Sequence, residues 1–302
     1  MHLLKKLIYN ALSKLLPLAV YLRFLQWMAD SKTIGFFYDI ATYCFAKEDI
    51  RASRAFFQEY AQEVQQVIAL LEDEKSKDTY RSVIEYRRSR KRRCVNPHMQ
   101  GWKGMYFDSE IIVPSRSEVF IDCGAFAGEC ALAFERCCVS AGKPASLCVL
   151  FEPDPGNMAL LQKNLPNFRQ APVVVPTGLW RQAGQCSFLF DYRTSSKIDI
   201  AGQGSIAVDS LDHALEQIPG LPPPTYIKMD IEGAEIDVLL GARKTIEAHR
   251  PRLAVAIYHS DEHMIKIPQL IHEMCPAYRF YVRHYSCIHV ETVLYCICGE
   301  FA

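Results

Sequence analysis

The chain of 302 residues carries 34 basic and 34 acidic side chains, so its formal net charge at neutral pH is zero. That balance excludes broad, sequence-independent adhesion to nucleic acid, which requires a large excess of positive charge. Half of the residues are hydrophobic, and a chain of this length and composition is globular and can bury a sizeable core.

The first thirty residues are apolar but are interrupted by lysines, arginine and proline. Leucines recur there at helical spacing, which predicts an amphipathic helix docked on its own domain or on the partner of a homodimer. Peripheral contact of this helix with a membrane surface is the alternative. We predict neither a membrane span nor a signal peptide, because no apolar run of about twenty residues is uninterrupted.

Residues 1–93 are predicted to be helical, since apolar residues recur there at intervals of three and four. The segment from Arg87 to Arg93, RRSRKRR, holds six basic residues out of seven. It is typical of a solvated helix end, and a local binding surface for an anionic substrate or lipid head group is the alternative. We place the end of this helical region at residue 104.

Strand and helix candidates alternate over residues 105–302, beginning with EVFIDCGAF and the helix GECALAFERCCVSA. Such alternation predicts a parallel sheet wound by right-handed crossovers. It pauses at CSFLFDYR and SIAVDSLDHAL, which indicate a hairpin, and resumes at PTYIKMD. The last two strands have no helix between them, which predicts an antiparallel end to the sheet.

The first predicted strand ends in DCGAFAGE, starting at Asp122. Gly124 lets the backbone approach a ligand closely, and the helix that follows Gly128 and opens with Glu129 offers unpaired N–H groups. This turn is therefore a candidate site for a nucleotide-like cofactor. The dinucleotide fingerprint G-x-G-x-x-G is absent, because Phe126 stands at its second glycine.

The second predicted strand ends in FEPD, whose acid is Glu152. An acid at the carboxyl end of the neighbouring strand can accept hydrogen bonds from both ribose hydroxyls. Glu152 follows Gly124 by twenty-eight residues, a distance that fits one strand, one helix and a second strand. We therefore predict that Glu152 binds a ribose.

These motifs resemble the FkbM family of S-adenosylmethionine-dependent methyltransferases. IDCGAFAGE, FEPDP, SLD and above all KMDIEGAEIDVLLGA carry the resemblance, together with YFDSEIIVP ahead of the first strand. The K-x-D-x-E-G-A-E run is the most specific of them, whereas D-x-G-x-x-x-G belongs to many methyltransferases. The match spans roughly residues 105 to 297.

The resemblance implies a doubly wound, mostly parallel seven-stranded sheet of the class I methyltransferase, Rossmann-like type. S-adenosylmethionine would lie over the carboxyl ends of the first two strands. Family members typically methylate hydroxyl groups of sugars or polyketides, so the implied reaction is O-methylation of a sugar, glycan or polyketide-like metabolite. The residues implied to bind the donor are Asp122, Gly124, Gly128 and Glu129 at its amino-acid end, Glu152 at its ribose, and Gly178 and Leu179 at its adenine.

The KMDIEGAE run would form the fourth strand, beside the first, and end at the crevice where ligands usually bind. Asp230 can take the proton of an acceptor hydroxyl or hold that hydroxyl, and Lys228 can stabilise the developing alkoxide. The alternative is a self-neutralising Lys–Asp pair, with Glu232 favouring the amino terminus of the next helix. Glu235 is interpreted as an ordinary acid in a helix's first turn.

Two further possibilities concern the same crevice. Asp230 and Glu232 can supply oxygen ligands to Mg²⁺, and the segment HSDEH sets His259 and His263 four residues apart. His259 alone is the better candidate for a catalytic base, because an imidazole titrates near neutral pH. No residue is assigned as a metal ligand.

The leading hypothesis is a methyltransferase, and two other classes compete with it. A catalytically silent binding module would not need Asp122, Glu152 and Asp230 intact. A nucleotide-dependent oxidoreductase is disfavoured by the missing G-x-G-x-x-G. The twelve cysteines form no C-x-x-C pair, which predicts reduced thiols in a cytoplasmic protein and no structural zinc site.

Overall fold

The computed structural model describes residues 46–101, 104–115, 117–144, 146–189, 197–198 and 204–299. The amphipathic helix predicted at the amino terminus lies outside the described residues. Within them, no helix combines the length and the apolarity that crossing a membrane requires. The helices that precede the sheet are α1 (Lys47–Glu59), α2 (Ala61–Leu70) and α3 (Glu74–Ser89).

The predicted helical stretch is interrupted between α2 and α3, where neither glycine nor proline occurs. Leu71 forms a bridge with Phe280, and the N–H of Glu72 donates to the Phe280 carbonyl over 2.9 Å. Asp73 then caps α3, because its Oδ1 accepts from the N–H of Ser76 over 2.6 Å. Pairing with a distant strand and an aspartate cap therefore end one helix and begin the next.

The main sheet has seven strands in the order β10, β11, β9, β8, β1, β2, β3. Strands β1, β2, β3, β8 and β9 are parallel, while β11 runs antiparallel to both β9 and β10. This confirms the predicted doubly wound sheet with its antiparallel end. Its strands are β1 (Val119–Cys123), β2 (Leu147–Phe151), β3 (Val173–Val175), β8 (Tyr226–Met229), β9 (Arg252–Ala256), β10 (Tyr278–His284) and β11 (Thr292–Cys298).

Helices cover both faces of this sheet, as the crossovers between parallel strands require. Alternate residues of β1 face opposite layers: Ile121 belongs to one hydrophobic cluster and Phe120 to the other. All five residues of β1 are buried. This is expected of a central strand that helices cover on both faces, and it explains why its sequence is almost continuously apolar. The helices after β1 are α4 (Glu129–Ser140), α5 (Pro155–Asn164), α6 (Leu211–Glu216), α7 (Glu235–Gly241), α8 (Arg243–His249) and α9 (Asp261–Met274).

A second, smaller sheet forms where the alternation pauses. Its order is β4, β7, β5, β6, and β5 pairs antiparallel with β7 as the predicted hairpin requires. The segment APVVVPTGLW does not form one strand as predicted, because it divides between β3 of the main sheet and β4 of this one. The strands are β4 (Gly178–Leu179), β5 (Gly184–Leu189), β6 (Lys197–Ile198) and β7 (Gly204–Asp209).

The helices that precede the sheet pack directly on it. Phe57, Val67 and Tyr80 share a hydrophobic cluster with residues of β1, β8 and β9. The hydroxyl of Ser76 accepts from the N–H of Val282 over 2.9 Å, which ties α3 to β10. The division into two regions at residue 104 stays a prediction.

The basic run at the end of α3 is solvated only in part: Arg88, Lys91 and Arg93 are exposed. Arg87, Arg90 and Arg92 are all buried. Arg87 Nη1 forms an ion pair with Asp261 Oδ1 over 2.7 Å, and its Nη2 donates to the Tyr258 carbonyl. Arg87 therefore fixes the segment between β9 and α9, which borders the candidate site.

Candidate functional site

A cavity of about 280 Å³ opens at the carboxyl ends of β1, β2 and β8. In the sheet, β2 lies on one side of β1 and β8 on the other. The order of the parallel strands reverses at this point, which is where ligands usually bind in such sheets. The second sheet, the loop before β1 and the segment after β9 close its sides. Its polar lining includes Glu129, Glu152, Asn157, Lys228, Asp230, Glu232 and Glu291.

A buried ion pair joins the two strands at the floor of the cavity. Asp122 and Lys228 are register partners of β1 and β8, and Lys228 Nζ lies 3.0 Å from Asp122 Oδ1. Burial raises the pKa of Asp122 against the opposing effect of Lys228. For Lys228, burial alone would lower the pKa, but Asp122 outweighs it and holds the pKa above its usual value.

The ammonium of Lys228 is also hydrogen-bonded to the turn after β1. It donates to the carbonyl of Gly124 over 2.8 Å and faces that of Cys123 at 3.4 Å. An ammonium has three hydrogens; the two carbonyls accept two of them, and Asp122 adds an opposite charge at 3.0 Å without an aligned hydrogen bond. Lys228 lines the cavity, and its ion-pair partner is Asp122 of β1 rather than Asp230, with which the structural alternative paired it.

Two glycines of the turn after β1 serve different purposes. A Cβ at Gly124, whose φ is +87°, would lie 2.2 Å from the Asp230 carbonyl oxygen, so only glycine allows the end of β8 this close. A Cβ at Gly128, with φ of +84°, would lie 2.7 Å from Leu161 Cδ1. Gly124 lines the cavity, whereas Gly128 packs the start of α4 against α5.

Glu152 points into the turn that follows β1. Its Oε2 accepts from the N–H of Phe126 over 2.8 Å and its Oε1 from that of Asp154 over 2.9 Å. The amide of Asn157 reaches Oε1 at 3.3 Å. Burial raises the pKa of Glu152, while these hydrogen bonds oppose that effect. The carboxylate lines the cavity; Oε1 already accepts two hydrogen bonds, whereas Oε2 keeps a second lone pair for a ligand hydroxyl.

Asp230 follows β8 and is held by two tyrosines. Tyr106 donates its hydroxyl to Oδ2 over 2.6 Å, and Tyr258 donates to Oδ1 over 3.1 Å. Burial raises the pKa of both tyrosines, and the Asp230 carboxylate adds to the rise. Both are therefore neutral hydrogen-bond donors at physiological pH, and they fix the carboxylate at the cavity wall.

His259 stands behind this carboxylate, outside the cavity lining. Its Nε2 lies 3.5 Å from Asp230 Oδ1 and 3.7 Å from Glu232 Oε2. An imidazole thus occupies the position between the two acids that the Mg²⁺ alternative would need. Burial alone would lower the pKa of His259, but Glu235 and these carboxylates raise it to about 9. His259 is therefore charged at neutral pH, which does not suit a free base.

Glu235 is not the ordinary first-turn acid that its position indicated. It is fully buried, and its Oε1 lies 3.0 Å from His259 Nδ1 and accepts from the N–H of Ile231 over 2.9 Å. Burial alone would raise its pKa, but His259 and His263 hold the pKa below its usual value. The interpretation failed because His259 and His263 come to Glu235 from β9 and α9.

Glu291 enters the cavity from the loop between β10 and β11. Its backbone adopts a left-handed φ of +64°, and its carbonyl accepts from the N–H of Tyr285 over 3.0 Å. Burial and the nearby Asp230 carboxylate raise the pKa of Glu291 to about 8. This shift favours the neutral form of the Glu291 carboxyl.

The structure brings most of the predicted site residues to one cavity. Asp122 lies beneath its floor, Gly128 lies in the α4–α5 packing and His259 lies behind its wall. Sequence reasoning assigned no role to Tyr106, Tyr258 or Glu291. Two of them carried a signal: Tyr106 opens the YFDSEIIVP motif, and Tyr258 directly precedes His259 at a strand end. The predicted residues that line the cavity are Gly124, Glu129, Glu152, Gly178, Leu179, Lys228, Asp230 and Glu232.

Comparison with protein families gives a match to the methyltransferase FkbM domain over residues 122–280. This match covers more than half of the chain and contains the end of β1, all of β2, β8 and β9, and the turns that follow these strands. The comparison with curated proteins finds no significant match.

Among solved structures, a methyltransferase FkbM from Methylobacillus flagellatus KT is 25% identical, with a TM-score of 0.69. The alignment covers 80% of this chain and 60% of that one, so this chain spans less than two thirds of that protein. A precorrin-6y C5,15-methyltransferase from Geobacter metallireducens GS-15 is 10% identical over 68% of this chain and 96% of its own, at a TM-score of 0.39. A likeness that weak indicates nothing about function.

Proposed function

The chain belongs to the FkbM methyltransferase family, and we propose from the geometry of its cavity that it is an S-adenosylmethionine-dependent O-methyltransferase. The acceptor in this proposal is a hydroxyl of a sugar, glycan or polyketide-like metabolite. The single observation that carries the proposal is the convergence of Gly124, Glu152 and Asp230 on one cavity at the switch point of the sheet.

The residues of the cavity fit the proposed donor. Gly124 and Glu129 both line the cavity, where the glycine lets the donor's amino-acid end approach the backbone and Glu129 offers a carboxylate to a ligand ammonium. Glu152 is fixed by two backbone N–H groups and the Asn157 amide, which orients the free lone pair of Oε2 for a ribose hydroxyl. Gly178 and Leu179 supply a close, apolar wall for adenine.

The chemistry divides between donor and protein. When bound, S-adenosylmethionine supplies an electrophilic methyl group on a sulfonium. Transfer to a hydroxyl forms a C–O bond, returns the C–S electron pair to sulfur, and requires the hydroxyl to lose its proton. Asp230 is the group on the cavity wall that can receive that proton or hold the hydroxyl.

The surroundings of Asp230 suit this role. Tyr106 and Tyr258 each occupy one lone pair of the carboxylate, which leaves one on each oxygen for the acceptor. His259 lies 3.5 Å behind Asp230 Oδ1 as a positive charge and keeps the carboxylate in place. His259 is therefore proposed as a positioning residue rather than the base.

Isothermal titration of the full chain with S-adenosylmethionine and with NAD tests the donor. We expect one S-adenosylmethionine per chain and no NAD, because Phe126 takes the place of the glycine that a pyrophosphate needs. Binding of NAD alone would favour the oxidoreductase. Absence of both would favour a silent binding module and reject the proposal.

The acceptor is to be sought with labelled methyl groups traced from the donor into lipid, glycan and small-metabolite fractions of a cell extract. Label in a hydroxyl-bearing glycan or metabolite supports the proposed acceptor class. Label confined to protein or nucleic acid would contradict it.

The place of action is also part of the proposal. All cysteines among the described residues are free thiols, which supports a reducing compartment such as the cytoplasm. Peripheral membrane contact and a homodimer, both through the amino-terminal segment, stay predictions.

A further inference from the structure

A second cluster of polar side chains lies behind the cavity wall. Glu235 comes from the first turn of α7, His259 from the segment after β9, and His263 from the first turn of α9. His259 Nδ1 lies 3.0 Å from Glu235 Oε1, and His263 Nδ1 lies 3.2 Å from Glu235 Oε2. One potential ligand atom from each residue lies within 4.8 Å of the other two. The cluster is buried, with the Glu235 side chain fully inaccessible.

The short distances in this cluster are not hydrogen bonds. Glu235 Oε2, His263 Nδ1 and both ring nitrogens of His259 have no hydrogen-bond partner among the described residues. Each pair is close enough, but the ring N–H directions miss the carboxylate oxygens. Several unpartnered polar atoms in one buried place are costly and require an explanation.

Convergence on a shared point explains both the distances and the misalignment. Around a tetrahedral ion with ligand bonds of about 2.0–2.1 Å, neighbouring ligand atoms lie about 3.3 Å apart and point at the ion. His259 Nδ1 lies 3.0 Å from one carboxylate oxygen of Glu235 and His263 Nδ1 lies 3.2 Å from the other, so the carboxylate faces both imidazoles at about this spacing. Two imidazoles and one carboxylate form a familiar zinc ligand set.

The surroundings of the cluster resemble the outer shell of a metal site. The N–H of Ile231 holds Glu235 Oε1 over 2.9 Å. His259 turns its other nitrogen, Nε2, toward Asp230 at 3.5 Å, as metal-binding histidines commonly face a carboxylate with the ring nitrogen that does not bind the ion. The carboxylates of Glu235, Asp230 and Glu232 all lie within 3.7 Å of the His259 ring nitrogens, so this place favours positive charge.

We propose that Glu235, His259 and His263 bind one divalent transition-metal ion, with Zn²⁺ the best match to their donor set. The site lies behind the wall that carries Asp230 and does not open into the cavity. The ion would fix His259, and through it the orientation of Asp230. This proposal rests on the geometry of the cluster and does not depend on the proposed reaction.

The test uses the purified full chain, stripped with a chelator and titrated with Zn²⁺ against a chromophoric competitor. We expect one ion per chain, confirmed by elemental analysis. Glu235→Gln and His263→Ala should each weaken binding by more than the roughly 100-fold that a lost outer-shell partner costs. His249→Ala is the matched control, because His249 is exposed at the end of α8, and it should bind as the parent does.

Cobalt distinguishes this site from binding by the cysteines. Co²⁺ at the cluster should give ligand-field bands without the near-ultraviolet thiolate band. A thiolate band, or affinity unchanged in His263→Ala, would overturn the proposal. If the variants do not fold, NMR of the parent's imidazoles decides: Zn²⁺ should shift the His259 and His263 resonances, and their failure to shift would reject the site.

Discussion

Asp230 is the residue on which the proposed chemistry depends most. We predict that Asp230→Asn keeps S-adenosylmethionine affinity within about threefold, because the donor contacts assigned here lie on β1, β2 and β4. Transfer of labelled methyl groups to the identified acceptor should fall by about 10²–10⁴-fold, the range for losing a general base. Donor titration and single-turnover transfer measure the two effects.

The control for this substitution is Asp78→Asn. Asp78 is exposed on α3, far from the cavity lining, and forms an ion pair with the exposed Arg81, so neither quantity should change. If Asp230→Asn turns over as fast as the parent, Asp230 neither receives the acceptor's proton nor holds its hydroxyl, and its role is structural.

Replacing Gly124 has two costs, the positive φ and the lack of space for a Cβ, and these two costs can be measured separately. Gly124→Ala places a Cβ at a positive φ and against the Asp230 carbonyl oxygen. Gly142→Ala has a similar φ of +71° but nothing within 4 Å, so it measures the conformational cost alone, about 1–2 kcal/mol. We expect Gly124→Ala to lower the free energy of unfolding by a further 1–3 kcal/mol or so.

Urea denaturation of both glycine variants provides the comparison. Equal destabilisation would mean that the turn after β1 moves away from β8 at little cost. The close approach of these two segments would then not be a requirement of the fold.

At the scale of elements, the Asp122–Lys228 pair joins the two central strands of the sheet. Lys228→Met leaves the Asp122 carboxylate buried without its partner, and we expect a loss of about 3–5 kcal/mol in the free energy of unfolding. The double variant Asp122→Asn with Lys228→Met should recover part of that loss, because no buried charge is left unpaired.

Arg81→Met is the control for the ion pair. Arg81 and Asp78 are exposed on α3, and breaking an exposed pair should cost less than about 1 kcal/mol. A Lys228→Met variant as stable as this control would show that the buried pair contributes nothing to joining β1 and β8.

At the scale of the whole molecule, acid should destabilise the protein through a buried histidine. His284 ends β10, and its Nδ1 lies 2.9 Å from Thr292 Oγ1. Burial, reinforced by the charges of Arg87 and His98, lowers the pKa of His284 to about 4. The unfolded chain has a histidine pKa of about 6.5.

The sign of the pH effect follows from these two values. Below about pH 6.5 the histidine binds a proton in the unfolded state. In the native state His284 binds it only below about pH 4. The stability that His284 contributes is therefore complete above that window and is lost as the pH falls through it, by at most about 3 kcal/mol. His284→Gln should flatten the dependence measured by urea denaturation between about pH 7 and 5, whereas His249→Gln should keep it.

The parts of the fold and site that the sequence predicts are those with local patterns. Alternation placed β1, β2 and β8, and glycine with strand-end acids placed Gly124, Glu152 and Asp230. The roles of Tyr106 and Glu291 and the break before α3 could not be predicted, because each depends on a partner distant in the chain. The buried Arg87 was misread for the same reason, since Asp261 lies in α9.

The central claim is that the cavity at the ends of β1, β2 and β8 holds the methyl donor. A crystal structure of the full chain with S-adenosylhomocysteine tests it most directly. We predict that the ribose hydroxyls lie within about 3.2 Å of the Glu152 carboxylate, with the sulfur on the side of Asp230. Density for the ligand outside this cavity, or a ribose held by another group, would contradict the account.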